Sequence, residues 1–99
     1  MSSENLRALM HDPGDDVAVV IQDVASGDEI KVFSLEGAER GSVKAAEGIA
    51  LGHKIALRKI PMGREILKYG RAIGRATRDI AEGGHVHIQN LKSIRWGGE

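Results

Sequence analysis

The stretch Ile49-Ala50-Leu51-Gly52-His53-Lys54-Ile55-Ala56-Leu57-Arg58-Lys59-Ile60-Pro61-Met62-Gly63-Arg64-Glu65-Ile66 contains one small unit twice. An aliphatic residue is followed by two residues, a glycine, two more residues and a second aliphatic residue. The first copy is Ile49–Gly52–Ile55 and the second is Ile60–Gly63–Ile66. The unit recurs upstream at Val24–Gly27–Ile30 and downstream at Ile80–Gly83–Val86. Each glycine sits where a tight turn needs positive φ, which only glycine adopts without strain. Each is followed by an alternating stretch of strand type: Glu29-Ile30-Lys31-Val32-Phe33, Lys54-Ile55-Ala56-Leu57, Glu65-Ile66-Leu67-Lys68-Tyr69 and His85-Val86-His87-Ile88. Four copies in 99 residues predict an all-β chain of short strands and tight glycine turns.

Outward from these units the signals thin. Val17-Ala18-Val19-Val20-Ile21 is a short, mostly β-branched run and reads as a further strand. Residues 1–16 read as a flexible lead-in, with one helical turn over Leu6 to His11 before Pro13-Gly14. Elsewhere helix is expected for a turn or two at most, near Arg40 to Glu47. Tyr69-Gly70 and Ile73-Gly74 add turn signals. Gly97-Gly98-Glu99 reads as the frayed end of a domain spanning residues 17–95, with 96–99 outside it.

Bulk properties narrow the function classes. A chain of 99 residues makes one compact domain with little volume for a deep private site. The aromatics are Phe33, Tyr69 and Trp96, so the core must be aliphatic. There is no cysteine, which excludes disulfides, thiolate metal sites and cysteine nucleophiles. No apolar run is long enough to span a membrane, and the polar start does not read as a signal peptide, so a cytoplasmic protein is expected. The formal net charge is +0, yet residues 1–48 carry four basic and ten acidic side chains and residues 49–99 carry ten and four. Two readings stay open: complementary halves of one fold, or a basic half that faces an anionic ligand or partner. Nucleic acid is the weakest choice, because the aromatics that stack bases are not interleaved with the basic residues.

Two histidines stand out on spacing alone. His85 and His87 are two positions apart, so on a strand both imidazoles share a face, with Gln89 next in line. Such a pair can bind a divalent metal, clamp a carboxylate, or simply decorate an exposed strand. His53 follows a turn glycine and can serve as proton donor, acid or base near neutral pH. No tight Asp/Glu/His cluster with clear ligand spacing is visible, so the chain is expected to supply at most part of a catalytic site.

The stretch 52–63 resembles the SAF domain of the altronate/galactarate dehydratase family. The likeness continues through Lys68-Tyr69-Gly70-Arg71-Ala72-Ile73-Gly74-Arg75-Ala76-Thr77. It ends in Asp79-Ile80-Ala81-Glu82-Gly83-Gly84-His85-Val86-His87-Ile88-Gln89-Asn90-Leu91. Asp16-Val17-Ala18-Val19-Val20 and Asp23-Val24-Ala25-Ser26-Gly27-Asp28 fit the usual opening, so residues 11–95 are covered. One departure is that family members often carry a third alternating histidine where this chain has Gln89.

The resemblance implies a β-clip fold. It also implies a metal-dependent, iron-type loss of water from a sugar-acid anion, with the iron held mainly by a separate large catalytic subunit. This chain would be the small subunit of such a hydro-lyase, inactive alone. It marks His53, His85 and His87 as catalytic, with His85 and His87 as metal ligands. It favours Lys54, Arg58 and Arg75 for the substrate carboxylate, since arginine's planar fork matches that group. The alternatives are the small subunit of a sulfolactate sulfo-lyase, built in the same split way, and a non-enzymatic carbohydrate- or anion-binding SAF module. A homodimer of the isolated chain is also left open.

Overall fold

A computed structural model of the chain describes residues 6–12, 14–68, 71–87 and 91–93. Among them the chain is all-β. The strands are β1 (Arg7–Met10), β2 (Val17–Val20), β3 (Glu29–Ser34), β4 (Glu39–Lys44), β5 (Lys54–Ala56), β6 (Glu65–Lys68), β7 (Arg71–Ala76), β8 (His85–Val86) and β9 (Leu91–Ser93). Six form a mixed sheet in the order β4-β3-β1-β2-β5-β8, and three form a second sheet, β6-β7-β9. Tyr69-Gly70, Gln89, Asn90, Trp96 and the glycine-rich end lie outside the described residues.

The four glycine units are four turns of one kind. In each, the fourth turn residue donates its N–H to the first residue's carbonyl: Asp28 to Ala25, His53 to Ala50, Arg64 to Pro61 and Gly84 to Ala81, at 2.9–3.1 Å. The third residue is the glycine, with φ of 91°, 87°, 87° and 85° at Gly27, Gly52, Gly63 and Gly83. That is the position at which a type II turn requires positive φ. The turns are also joined in pairs. Val24 bridges Ile49 and Ile60 bridges Ile80. The aspartate before each bridge ties the opposite turn, with Asp23 accepting from Leu51 N–H and Asp79 from Met62 N–H, both at 2.8 Å.

Two expectations are corrected. Residues 7–10, read as a helical turn in a flexible lead-in, form β1, which pairs antiparallel with β2 and parallel with β3. The Arg-Ala-Leu-Met sequence favours helix, but a ladder on both sides and the burial of Ala8 and Met10 override that weak preference. Arg40 to Lys44, read as helical, lies in β4, the exposed edge strand beside β3.

The middle and β8 end of the six-stranded sheet, β2, β5 and β8, are covered on both faces, while β1, β3 and β4 bury one face. One face gathers Ala8, Met10, Ala18, Val20, Ile30, Val32, Val43 and Ile55 into a first core. The other face presents Val17, Ala56 and Val86 to Ile60, Ile66, Ala76 and Ile80 of the smaller unit, a second core. Alternation along β2 and β5 explains this, since neighbouring residues point to opposite cores. All of these side chains are aliphatic, as the sparse aromatics require.

Candidate functional site

β5 and β8 build the site. They pair antiparallel, with Ile55 opposite His85 and Lys54 opposite Val86. Residues opposite each other share a face, so His85 points to the Ile55 side of the sheet. His53, two positions before Ile55, and His87, two after His85, follow to the same side. The turn glycines place the sequence there: Gly52 delivers His53 into β5, and the turn 81–84 delivers His85 into β8.

The three imidazoles form one stack. His53 Nδ1 lies 2.8 Å from His85 Nε2, a hydrogen bond in which one nitrogen donates and the other accepts. The ring centroids of His53 and His87 are 4.1 Å apart and the planes lie within 17°. His85 stacks on both, with centroids 5.0 Å from His53 and 5.6 Å from His87. One nitrogen from each ring fits within a 4.8 Å span. Neighbouring ligands around a tetrahedral ion bound at ~2.1 Å stand about 3.4 Å apart, so the group needs only modest rotation to close on a cation. Neutral imidazole is the ligand form. Burial pushes the His85 imidazole below its ordinary value of 6.5. His53 and His87 push the same way, and Glu47 opposes them.

The structure thus brings together all three sequence-selected histidines, with His53 beside the pair His85 and His87. The basic candidates are placed differently. Lys54 adjoins His53 in the chain but alternation turns it to the opposite face. Arg58 follows the far end of β5; its guanidinium donates to the Asp15 carbonyl at 3.0 Å and lies 3.3 Å from the Asp16 carboxylate. Arg75 lies in the β6–β7 hairpin, where it donates to the Gly63 carbonyl and pairs with Glu65 at 3.5 Å. Both arginines therefore make scaffold contacts.

A cleft of about 320 Å³ lies elsewhere, lined by Met10, Val32, Arg40, Ser42, Val43, Leu57 and Arg58. We place the site at the histidines and not in this cleft, because Arg58 is already tied to Asp16 and no histidine lines it. The histidine group stands on an open edge. It can hold a cation or an anionic oxygen and share a proton between His53 and His85. A carboxylate, Glu47, stands beside it and accepts from His85 N–H at 3.0 Å.

Two further residues stand outside the sequence-selected candidates. Asp16 is fully buried and joins the two sheets: it accepts from Leu67 N–H at 2.8 Å and pairs with Arg58 and Arg64. The signal available was an acid directly before the apolar run at Val17. Glu47 accepts the main-chain N–H of His85 at 3.0 Å. It lies 38 positions away in the chain, and nothing local marks it.

Comparisons with known proteins point in one direction. Residues 6–94 match the family described as altronate/galactarate dehydratase SAF domain. The chain is 40% identical over 79 residues to the altronate dehydratase of Escherichia coli (strain K12). That alignment covers 80% of this chain but only 15% of the dehydratase. The altronate dehydratase of Bacillus subtilis (strain 168) is 34% identical with the same coverage. The (2R)-sulfolactate sulfo-lyase subunit alpha of Chromohalobacter salexigens is 32% identical over 89 residues, covering 89% of this chain and 95% of that subunit.

Proposed function

The chain belongs to the altronate/galactarate dehydratase SAF-domain family, and from that premise we propose that it is the small subunit of a two-part lyase acting on a sugar-acid anion. In this reading a separate, larger catalytic chain completes the active site, and the 99-residue chain alone is inactive. The observation that carries the reading is the three-imidazole group at the β8 end of the sheet, which offers three ligand atoms within 4.8 Å of one another. Coverage supports the division of labour. The chain spans nearly the whole of a sulfo-lyase subunit alpha and about 15% of an altronate dehydratase.

His53, His85 and His87 would hold a divalent cation, which we assign as iron. Imidazole suits such borderline metals. When bound, the cation supplies Lewis-acid polarisation of the departing oxygen. The chain's own residues hold and orient the cation. Before it binds, His53 Nδ1 and His85 Nε2 share one proton, which binding through those nitrogens would release. The α-proton base and the substrate-carboxylate contacts fall to the larger chain, since Arg58 and Arg75 are tied into the scaffold. Docking of that chain over the open edge would exclude water and strengthen each polar contact.

The substrate is assigned to the class that includes altronate and galactarate. Sulfolactate is the second choice, favoured by the full-length match to a sulfo-lyase subunit. The test is to co-express the chain with a large catalytic subunit of this family from the same organism and assay altronate, galactarate and sulfolactate in parallel. Turnover of a sugar acid by the complex, absent from either chain alone, is the expected result. Turnover of sulfolactate alone would move the assignment to the sulfo-lyase, and full activity of the isolated large chain would remove the catalytic role.

A further inference from the structure

We propose that Glu47 is a positioning residue that fixes His85 within the histidine group. The inference rests on the reading of the three histidines as a cation-binding group and adds a residue to it.

β8 is two residues long and ends the sheet, so among the described residues it has a strand neighbour on one side only. The backbone leading into it bonds toward β5: Gly83 N–H donates to the Ala56 carbonyl at 2.8 Å, and Ala56 N–H to the Gly84 carbonyl at 2.9 Å. The N–H of His85 turns the other way and donates to Glu47 Oε2 at 3.0 Å. An edge strand ordinarily leaves such groups to water. Here a carboxylate takes the place of the absent strand, and a charged acceptor makes the stronger kind of hydrogen bond.

Glu47 is itself held in place. Ala45 donates to the Asp28 carbonyl and accepts from Gly27 N–H, both at 2.8 Å, and Ala46 N–H donates to the Gly83 carbonyl at 2.9 Å. The segment 44–47 therefore runs along the open side of β8. Gly83 permits the approach, because a side chain there would collide with the Lys44 carbonyl. His85 needs this support more than its neighbours do. It bonds His53 at 2.8 Å and stacks on His87, so a small shift of its backbone opens the group on both sides. The Glu47 side chain is exposed and adds nothing to either core, so its contact acts through His85.

The experiment titrates Co2+ as a spectroscopic probe into the purified 99-residue chain as wild type, Glu47→Ala and Glu47→Gln. The glutamine carbonyl can accept the same N–H without the charge. Loss of a group that orients a metal ligand typically weakens metal binding about 10- to 100-fold. Glu47→Ala should lose affinity in that range and show an altered visible band even when saturated. Glu47→Gln should restore both the affinity and the band. Equal binding and an unchanged band in Glu47→Ala would overturn the positioning role while leaving the histidine site in place. Glutamine failing as badly as alanine would also overturn it, since charge and not the N–H contact would then matter. No Co2+ binding by the wild type would overturn the cation-site reading and this inference with it.

Discussion

Asp16 and His85 carry the largest single-residue consequences of this architecture. Asp16 is fully buried, yet each of its carboxylate oxygens has partners: Leu67 N–H on one, Arg58 and Arg64 on the other. Asp16→Ala strands the Leu67 N–H and loses charge-assisted bonds, so it should cost about 3 kcal/mol in chemical denaturation. Arg64→Ala should cost under about 1 kcal/mol, because its side chain is 43% exposed and Arg58 still faces Asp16. Equal losses would show that the carboxylate is not the organising group. For His85, the folded imidazole titrates below its ordinary 6.5 through burial first, then His53. Below 6.5 the unfolded chain takes up a proton that the folded chain resists. Stability is therefore full above that value and declines as pH falls toward the folded value. His11 shifts in the same direction, through burial and then Lys68, against Asp15 and Asp12. Melting temperatures should drop as pH falls from about 7 to about 5, and His85→Gln should drop less steeply than wild type. Identical slopes would remove His85 as a contributor.

Among the elements, the glycine turns were legible and their pairing was not. The repeat marked Gly27, Gly52, Gly63 and Gly83, and all four adopt positive φ. Nothing in the repeat says that turn 23–28 joins turn 49–53 and that turn 60–64 joins turn 79–84, because the ties are main-chain bridges and single aspartates between segments distant in the chain. β1 was missed because its four residues favour helix in isolation, and β4 because an exposed edge strand shows no alternation. The turns also differ in their surroundings. A methyl group on Gly63 meets open space, while one on Gly83 meets the Lys44 carbonyl. Gly63→Ala should therefore lose only the about 1–2 kcal/mol of left-handed strain. Gly83→Ala should lose clearly more and loosen β8. Equal losses for the two variants, read by denaturant midpoint, would argue against the close approach of segment 44–47 to β8.

On the scale of the whole molecule, a small mixed sheet carries a histidine group at one open edge and sits in the family of dehydratase SAF domains. The pair His85 and His87 could be read from spacing, since strand alternation is local. That His53 joins them, 32 positions before His85, depends on the β5–β8 register, which no local pattern specifies. Arg58 and Arg75 look equally suited to a carboxylate in the sequence, and the fold pairs them with Asp16 and Glu65. The central claim is that this edge completes a larger chain's active site. The most direct test is turnover by the complex of this chain with its large catalytic subunit, with altronate, galactarate and sulfolactate as substrates. Wild-type complex should be active, the 99-residue chain alone should not, and His53→Ala, His85→Ala and His87→Ala should each lower turnover about 100-fold or more while the two chains still co-purify. Wild-type turnover in all three variants would contradict the account and leave the chain with a scaffold role only.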